Sequence, residues 1–134
     1  MNEFRKLISL ALEELDIAKL LLEREHYRAC LSRSYYSMFY ATQALLLSKD
    51  LDVSTHKGTI RLFSQHFVKT GQLSSSWSKI LGDAYELRQL SDYDADFTGT
   101  LAEAENILEQ AKAFVAEVEK VLQELDGDRD QNLR

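Results

Sequence analysis

No proline occurs anywhere in the chain, and its five glycines are scattered. Proline breaks helix interiors because it removes an amide donor and its ring clashes with the preceding turn. Its absence favours a helical chain. Cysteine is nearly absent as well. Cys30 stands alone, which excludes an intramolecular disulfide. With no signal-like apolar stretch at the N-terminus, this points to a reducing, cytoplasmic setting. Long apolar runs are missing: Leu20-Leu21-Leu22 and Ala44-Leu45-Leu46-Leu47 fall far short of the roughly 20 residues that span a bilayer. Positive charge is outnumbered, and the formal net charge is −6. That disfavours indiscriminate binding to nucleic acid, which depends on neutralising phosphates, while leaving room for a local basic pocket. There is no P-loop, no GxGxxG, no paired cysteine and no HExxH. His26, His56 and His66 are too scattered to form a metal site by spacing. Neither a metal nor a cofactor is expected.

What is present is a globular balance of 45% hydrophobic and 28% charged residues over 134 positions, enough for one domain with one core. Apolar residues recur with helical period from Phe4 through Leu22, with Arg5, Glu13, Glu14, Asp16 and Glu23 on the opposite face. This predicts a first helix ending near Glu25. A second should run over about 27–49. It is apolar or small on nearly every side, as suits a helix at the centre of a bundle. Ser54 or Thr55 is placed to cap a shorter third helix reaching about Val68, with Ile60, Phe63 and Phe67 inward. A fourth is expected over about 76–91, with Trp77, Ile80, Leu81, Ala84 and Leu87 as its stripe, and residues 92–99 read as a loop. Thr100 and Glu103 form a capping-box pattern ahead of a fifth helix. The whole predicts an all-α, up-and-down bundle of about five helices over residues 1–126, followed by a polar tail at 127–134.

One charge breaks the pattern. At about 100° per residue, Arg88 falls beside Trp77, Leu81 and Ala84 on the apolar arc of the fourth helix, with Asp92 one turn on. An inward arginine needs a partner, because desolvating an unpaired charge costs several kcal/mol. Two readings stand: an ion pair that only holds the bundle, or a functional pocket. The cation lies N-terminal to the acid, the weaker order for a helical pair. On the second helix Arg33, Tyr36, Ser37 and Tyr40 share a face by their i, i+3, i+4, i+7 spacing. Tyrosines there suit either a core with satisfied hydroxyls or a wall that stacks a base.

The stretch Ala29-Cys30-Leu31-Ser32-Arg33-Ser34-Tyr35-Tyr36-Ser37-Met38-Phe39-Tyr40-Ala41 resembles the A-x-x-R-x-Y-Y-A-M-F-Y-A segment of prokaryotic HEPN-domain proteins. Thr55-His56-Lys57-Gly58, then Phe67-Val68-Lys69-Thr70-Gly71, and Leu87-Arg88-Gln89-Leu90-Ser91-Asp92-Tyr93 resemble that family's T-H-K-G, F-V-x-x-G and L-R-x-x-A-D-Y motifs in the same order. The resemblance implies a helical bundle, typically a homodimer. It also implies a two-component, toxin–antitoxin-like module in which the partner is a minimal nucleotidyltransferase. Several branches of the family are metal-independent ribonucleases using R-x4–6-H. Here Arg88 is followed by Asp92 and Tyr93, with no histidine at that spacing, and a carboxylate is a poor substitute for imidazole as a proton carrier at neutral pH. A literal R-x4-H, Arg61 to His66, lies on the third helix. Residues five apart diverge by about 140° around a continuous α-helix.

The expectation is therefore a HEPN homodimer, with the second and fourth helices near its axis. Its cleft, made of Arg33, Tyr36, Tyr40, Arg88, Asp92 and Tyr93, would bind nucleotide or RNA or dock a nucleotidyltransferase. The resemblance also makes Tyr93 the position for any modification by that partner. A ribonuclease toxin and a purely structural interaction module are the alternatives.

Overall fold

Helical periodicity carries through to the backbone of the computed structural model, which describes residues 2–132, with side chains described for 3–126. Five α-helices follow one another: α1 (Asn2–Glu23), α2 (Tyr27–Ser48), α3 (His56–Phe63), α4 (Ser75–Tyr93) and α5 (Leu101–Asn132). No strand occurs among the described residues, and none of their helices is long and apolar enough to cross a membrane. The architecture is an all-α bundle, as the sequence pattern predicts.

Where α1 and α2 stop is decided by backbone hydrogen bonds. His26 N–H donates to the Leu21 carbonyl and Glu25 N–H to that of Leu22, while Leu51 and Asp50 repeat the arrangement onto Leu46 and Leu47. These paired bonds are Schellman closures, which put the residue after the cap in the left-handed region. Glu25 (φ 64°) and Asp50 (φ 60°) occupy it without being glycine.

The second helix is central. It packs against α1, α3, α4 and α5, and Tyr35, Met38, Leu45 and Leu46 lose all contact with solvent. Burying side chains of this size stabilises by roughly 1.5–3 kcal/mol each, so α2 anchors the fold. Across from it, Phe114 meets Phe63 and Trp77 at ring-centroid distances of 5.6 and 5.9 Å.

Thr55 caps α3, its hydroxyl accepting from Gly58 N–H at 3.0 Å. The helix predicted to run unbroken to Val68 instead widens after Phe63 into a π-helical turn, Ser64–Val68. Lys69 N–H reaches back five residues to the Ser64 carbonyl, the spacing that defines such a turn. Phe63 and Phe67 both stay fully buried across the change.

Asp92 and Tyr93, expected in a loop, form the last turn of α4. A carboxylate at a helix C-terminus opposes the macrodipole, but its i,i+4 pairing with Arg88 holds the turn. The capping box before α5 forms as predicted: Thr100 N–H donates to Glu103 Oε1 at 3.0 Å, and Glu103 N–H to Thr100 Oγ1 at 3.1 Å. The α5 backbone stays helical through Gly127 to Asn132, across most of the segment read as a tail. Residues 133–134 and the side chains from 127 on lie outside the described residues.

Candidate functional site

Arg88 sits on the buried arc of α4 with Leu81, Ala84 and Ser91, and only 7% of it is exposed. Its Nη2 donates to the Tyr36 hydroxyl at 2.7 Å. Its Nε lies 2.9 Å from Asp92 Oδ2. The two form a close ion pair, and the buried Nε has Asp92 as its charge partner. Burial works against the Arg88 charge, but Tyr36 and then Asp92 outweigh it and hold the guanidinium above its ordinary pKa. The Asp92 side chain is 30% exposed. The pair therefore spans from the interior to the surface.

Tyr36 is the hub. The Arg33 guanidinium carbon lies 4.8 Å from its ring centre and that of Arg88 5.3 Å, both within the range of attraction to an aromatic face. Tyr93, 72% exposed, lies against Arg88 at 5.4 Å. Five of the six residues expected at the cleft thus meet around two guanidinium groups. Tyr40 is placed one turn along, its ring 6.3 Å from that of Tyr36. Ser37, from the same helix face, turns inward and donates to the Ser34 carbonyl.

The sequence reading misplaces Glu14. Assigned to the solvent face of α1, it is buried and accepts from Arg33 Nη1 at 2.9 Å. Burial raises its carboxyl pKa, and the Arg33 charge opposes that rise. Arg33 and Arg88 are thus each paired with one carboxylate, Glu14 and Asp92.

His56 goes unmarked as a site residue in the sequence, although it lies within Thr55-His56-Lys57-Gly58. Its Nδ1 is 2.7 Å from the Tyr35 hydroxyl. Its ring packs 4.5 Å from Phe39 and 5.9 Å from Tyr36. Burial lowers its pKa and the Arg88 charge lowers it further, with Asp92 acting the other way. The Arg61 and His66 side chains, by contrast, are not joined to this cluster by any hydrogen bond among the described residues. Arg61 is exposed on α3 and His66 lies in the π turn, and no hydrogen bond joins their side chains among the described residues.

Beside this cluster, the start of α2 and the connection between α4 and α5 enclose an open groove of about 870 Å³, with Arg28, Ser32, Arg33, Ser91, Asp92 and Gly99 on its walls. Arg28 ties the connection down: Nε donates to the Ser91 carbonyl, and Nη1 to those of Phe97 (3.1 Å) and Ala95 (3.5 Å). Gly99 (φ 75°) is required where it is, because a Cβ there would lie 3.2 Å from Leu31 Cδ1 and 3.5 Å from the Arg28 backbone nitrogen. Chemically, the site offers a fixed cation, an aromatic wall and a carboxylate at the rim.

The family model of the HEPN domain matches residues 4–121. The chain belongs to the HEPN domain family. Its curated relatives include the protein named "Putative toxin MJ0605" of Methanocaldococcus jannaschii, 38% identical over 92% of both chains. A UPF0332 protein of Thermotoga maritima is 37% identical over 93% of this chain and 98% of its own. The crystal structure of TT1696 from Thermus thermophilus superposes with a TM-score of 0.77 at 20% identity, covering 90% of this HEPN domain and 98% of that chain, a likeness of fold alone.

Proposed function

We propose that this HEPN domain is the toxin-like member of a two-component module and that it binds the phosphate of RNA or a nucleotide in the Arg88 cleft. The observation that supports this reading most directly is the inward guanidinium of Arg88, held by Tyr36 and Asp92 beneath the exposed ring of Tyr93. Desolvating a guanidinium is costly, and a phosphate at its outer edge would offset part of that cost. Tyr36 and Tyr93 flank the guanidinium and suit stacking against a base. The relatives named as toxins support the module. In this reading the chain acts in the cytoplasm as a homodimer, and a minimal nucleotidyltransferase is its partner, docking over the exposed Tyr93.

The test is fluorescence anisotropy with a labelled single-stranded oligoribonucleotide. Wild-type protein is expected to bind, with affinity falling as salt rises, and Arg88→Ala to lose at least tenfold. Equal binding by both proteins would overturn the reading. Light scattering at micromolar concentration should report a dimer.

A further inference from the structure

Arg28, half-buried at the start of α2, carries a charge with no carboxylate beside it. Arg5, Arg33 and Arg88 each have one within 3.2 Å, whereas among the described residues Arg28 meets only backbone carbonyls. Its Nη2 has no hydrogen-bond partner there and is not sealed in the interior. The helix it opens is uncapped. The His26 side chain, at the cap position, makes no capping bond. The Tyr27, Arg28 and Ala29 amides find no acceptor among the described residues. Such a helix start carries partial positive charge and aims its N–H groups outward, which suits an anion. Gly99 passes close by, and a Cβ there would come within 3.5 Å of the Arg28 nitrogen.

Ser32 is an independent sign of a ligand. It lies one turn along from Arg28 and is only 6% exposed, yet its hydroxyl has no hydrogen bond among the described residues. Other buried hydroxyls behave differently: those of Ser37, Thr42, Thr59 and Ser91 each donate to a carbonyl of the preceding turn. The Ser32 oxygen instead opens on the groove of about 870 Å³ that Tyr27, Arg28, Ala29 and Gly99 also line.

We infer that the start of α2 is a carboxylate-binding subsite of this groove, where the unpaired Arg28 and the open amides receive the anion. The Ser32 hydroxyl, about 6 Å farther along the helix, takes a second polar group of the same ligand. Glu25 and Asp92 line the same groove and oppose a second negative charge. Leu21, Tyr27 and Ala29 offer apolar surface beside the anion, where an aliphatic side chain can rest. The carboxyl terminus of a polypeptide ending in an aliphatic residue combines these features: one charge, an apolar group and a peptide amide farther along. Nothing in this assignment draws on phosphate at Arg88.

Proton–nitrogen correlation NMR of the intact protein tests it with N-acetyl-leucine, N-acetyl-leucinamide, sodium phosphate and an N-acetylated Gly-Ser-Ala-Leu peptide. Millimolar N-acetyl-leucine should move the Tyr27, Arg28 and Ala29 amide resonances, and the uncharged leucinamide should leave them in place. The peptide should bind about tenfold tighter than N-acetyl-leucine. Equal affinities would overturn the polypeptide as ligand and assign the subsite to small carboxylic acids. Ser32→Ala should weaken the peptide about fivefold with an unchanged melting temperature, because the hydroxyl holds nothing in the free protein. Arg28→Gln should abolish binding, and if that variant loses its fold, Ser32→Ala decides alone. Phosphate moving the same amides as strongly would overturn the carboxylate assignment. Amides that no carboxylate moves, or peptide binding that Ser32→Ala leaves intact, would overturn the subsite.

Discussion

Arg88 donates to the Tyr36 hydroxyl across 2.7 Å, and this single bond joins the interior of α4 to the central helix beside a carboxylate that reaches solvent. A charge buried with an equally buried partner leaves that partner stranded when it is removed, at about 3–5 kcal/mol. Asp92 is not stranded, because its side chain is 30% exposed.

Arg88→Ala should therefore destabilise by only about 1.5–3 kcal/mol, the scale of one lost hydrogen bond to a charged group. The double-mutant cycle with Asp92→Ala should give a coupling below about 1 kcal/mol, as for ion pairs open to water. Urea denaturation of the two single variants and the double variant measures both. A loss above about 3 kcal/mol would mean that the pair is structural.

The left-handed residues that close α1 and α2 are correctable strain. Non-glycine side chains in that region cost about 1–2 kcal/mol, part of which glycine's greater unfolded-state entropy offsets. Glu25→Gly and Asp50→Gly are each expected to raise stability by about 0.5 kcal/mol in thermal melts, and the two should add because the sites are separate closures.

Gly99 responds in the opposite direction. Its φ of 75° and the 3.2 Å approach of Leu31 Cδ1 to an added Cβ combine backbone strain with crowding. Gly71 (φ 85°) has open space instead. Gly71→Ala should cost about 1 kcal/mol and Gly99→Ala visibly more, a difference that parallel denaturation curves would display.

Acid should weaken the protein through His56. Its folded pKa is lowered, first by burial and then by Arg88, against Asp92. A group with a depressed folded pKa takes up protons in the unfolded chain first. Its stabilising contribution is complete above the ordinary imidazole value near 6.5 and is lost as pH falls from there toward the folded pKa. The groups set around it are Tyr35 and Tyr36 on α2 and Tyr85, Arg88 and Asp92 on α4. His56→Gln should flatten the stability profile in that window, and melting temperatures measured at closely spaced pH values would reveal it.

Much of this was legible in the sequence because it is periodic. Helix positions, the central place of α2, a cap for α3 at Ser54 or Thr55 and the Thr100–Glu103 box all follow from spacing along the chain. So does Arg88, a charge on an apolar arc. Pairings that depend on another helix were not legible. Glu14 looks solvated until Arg33, nineteen positions on, is seen to meet it. His56 looks like one of three scattered histidines until Tyr35 is found at its Nδ1. The π turn was hidden for another reason: Phe63 and Phe67 are spaced as an ordinary α-helix would space them, and the widening lies in the backbone bonds between them. Asp92 and Tyr93 read as a loop because their local sequence is acidic and turn-like, while the interaction that keeps them helical runs back one turn to a buried arginine.

Arg28 gives the groove a property of its own. By donating to three carbonyls between Ser91 and Phe97, it immobilises a connection that carries no regular structure. Ordering a loop around a ligand ordinarily subtracts from affinity, at about 0.5–1.5 kcal/mol per immobilised rotamer-rich side chain. Here the wall is set before anything arrives. The groove is preorganised, and entry should resemble a key meeting a finished lock more than a hand closing, with association rates governed by charge and diffusion instead of by a rearrangement of the chain.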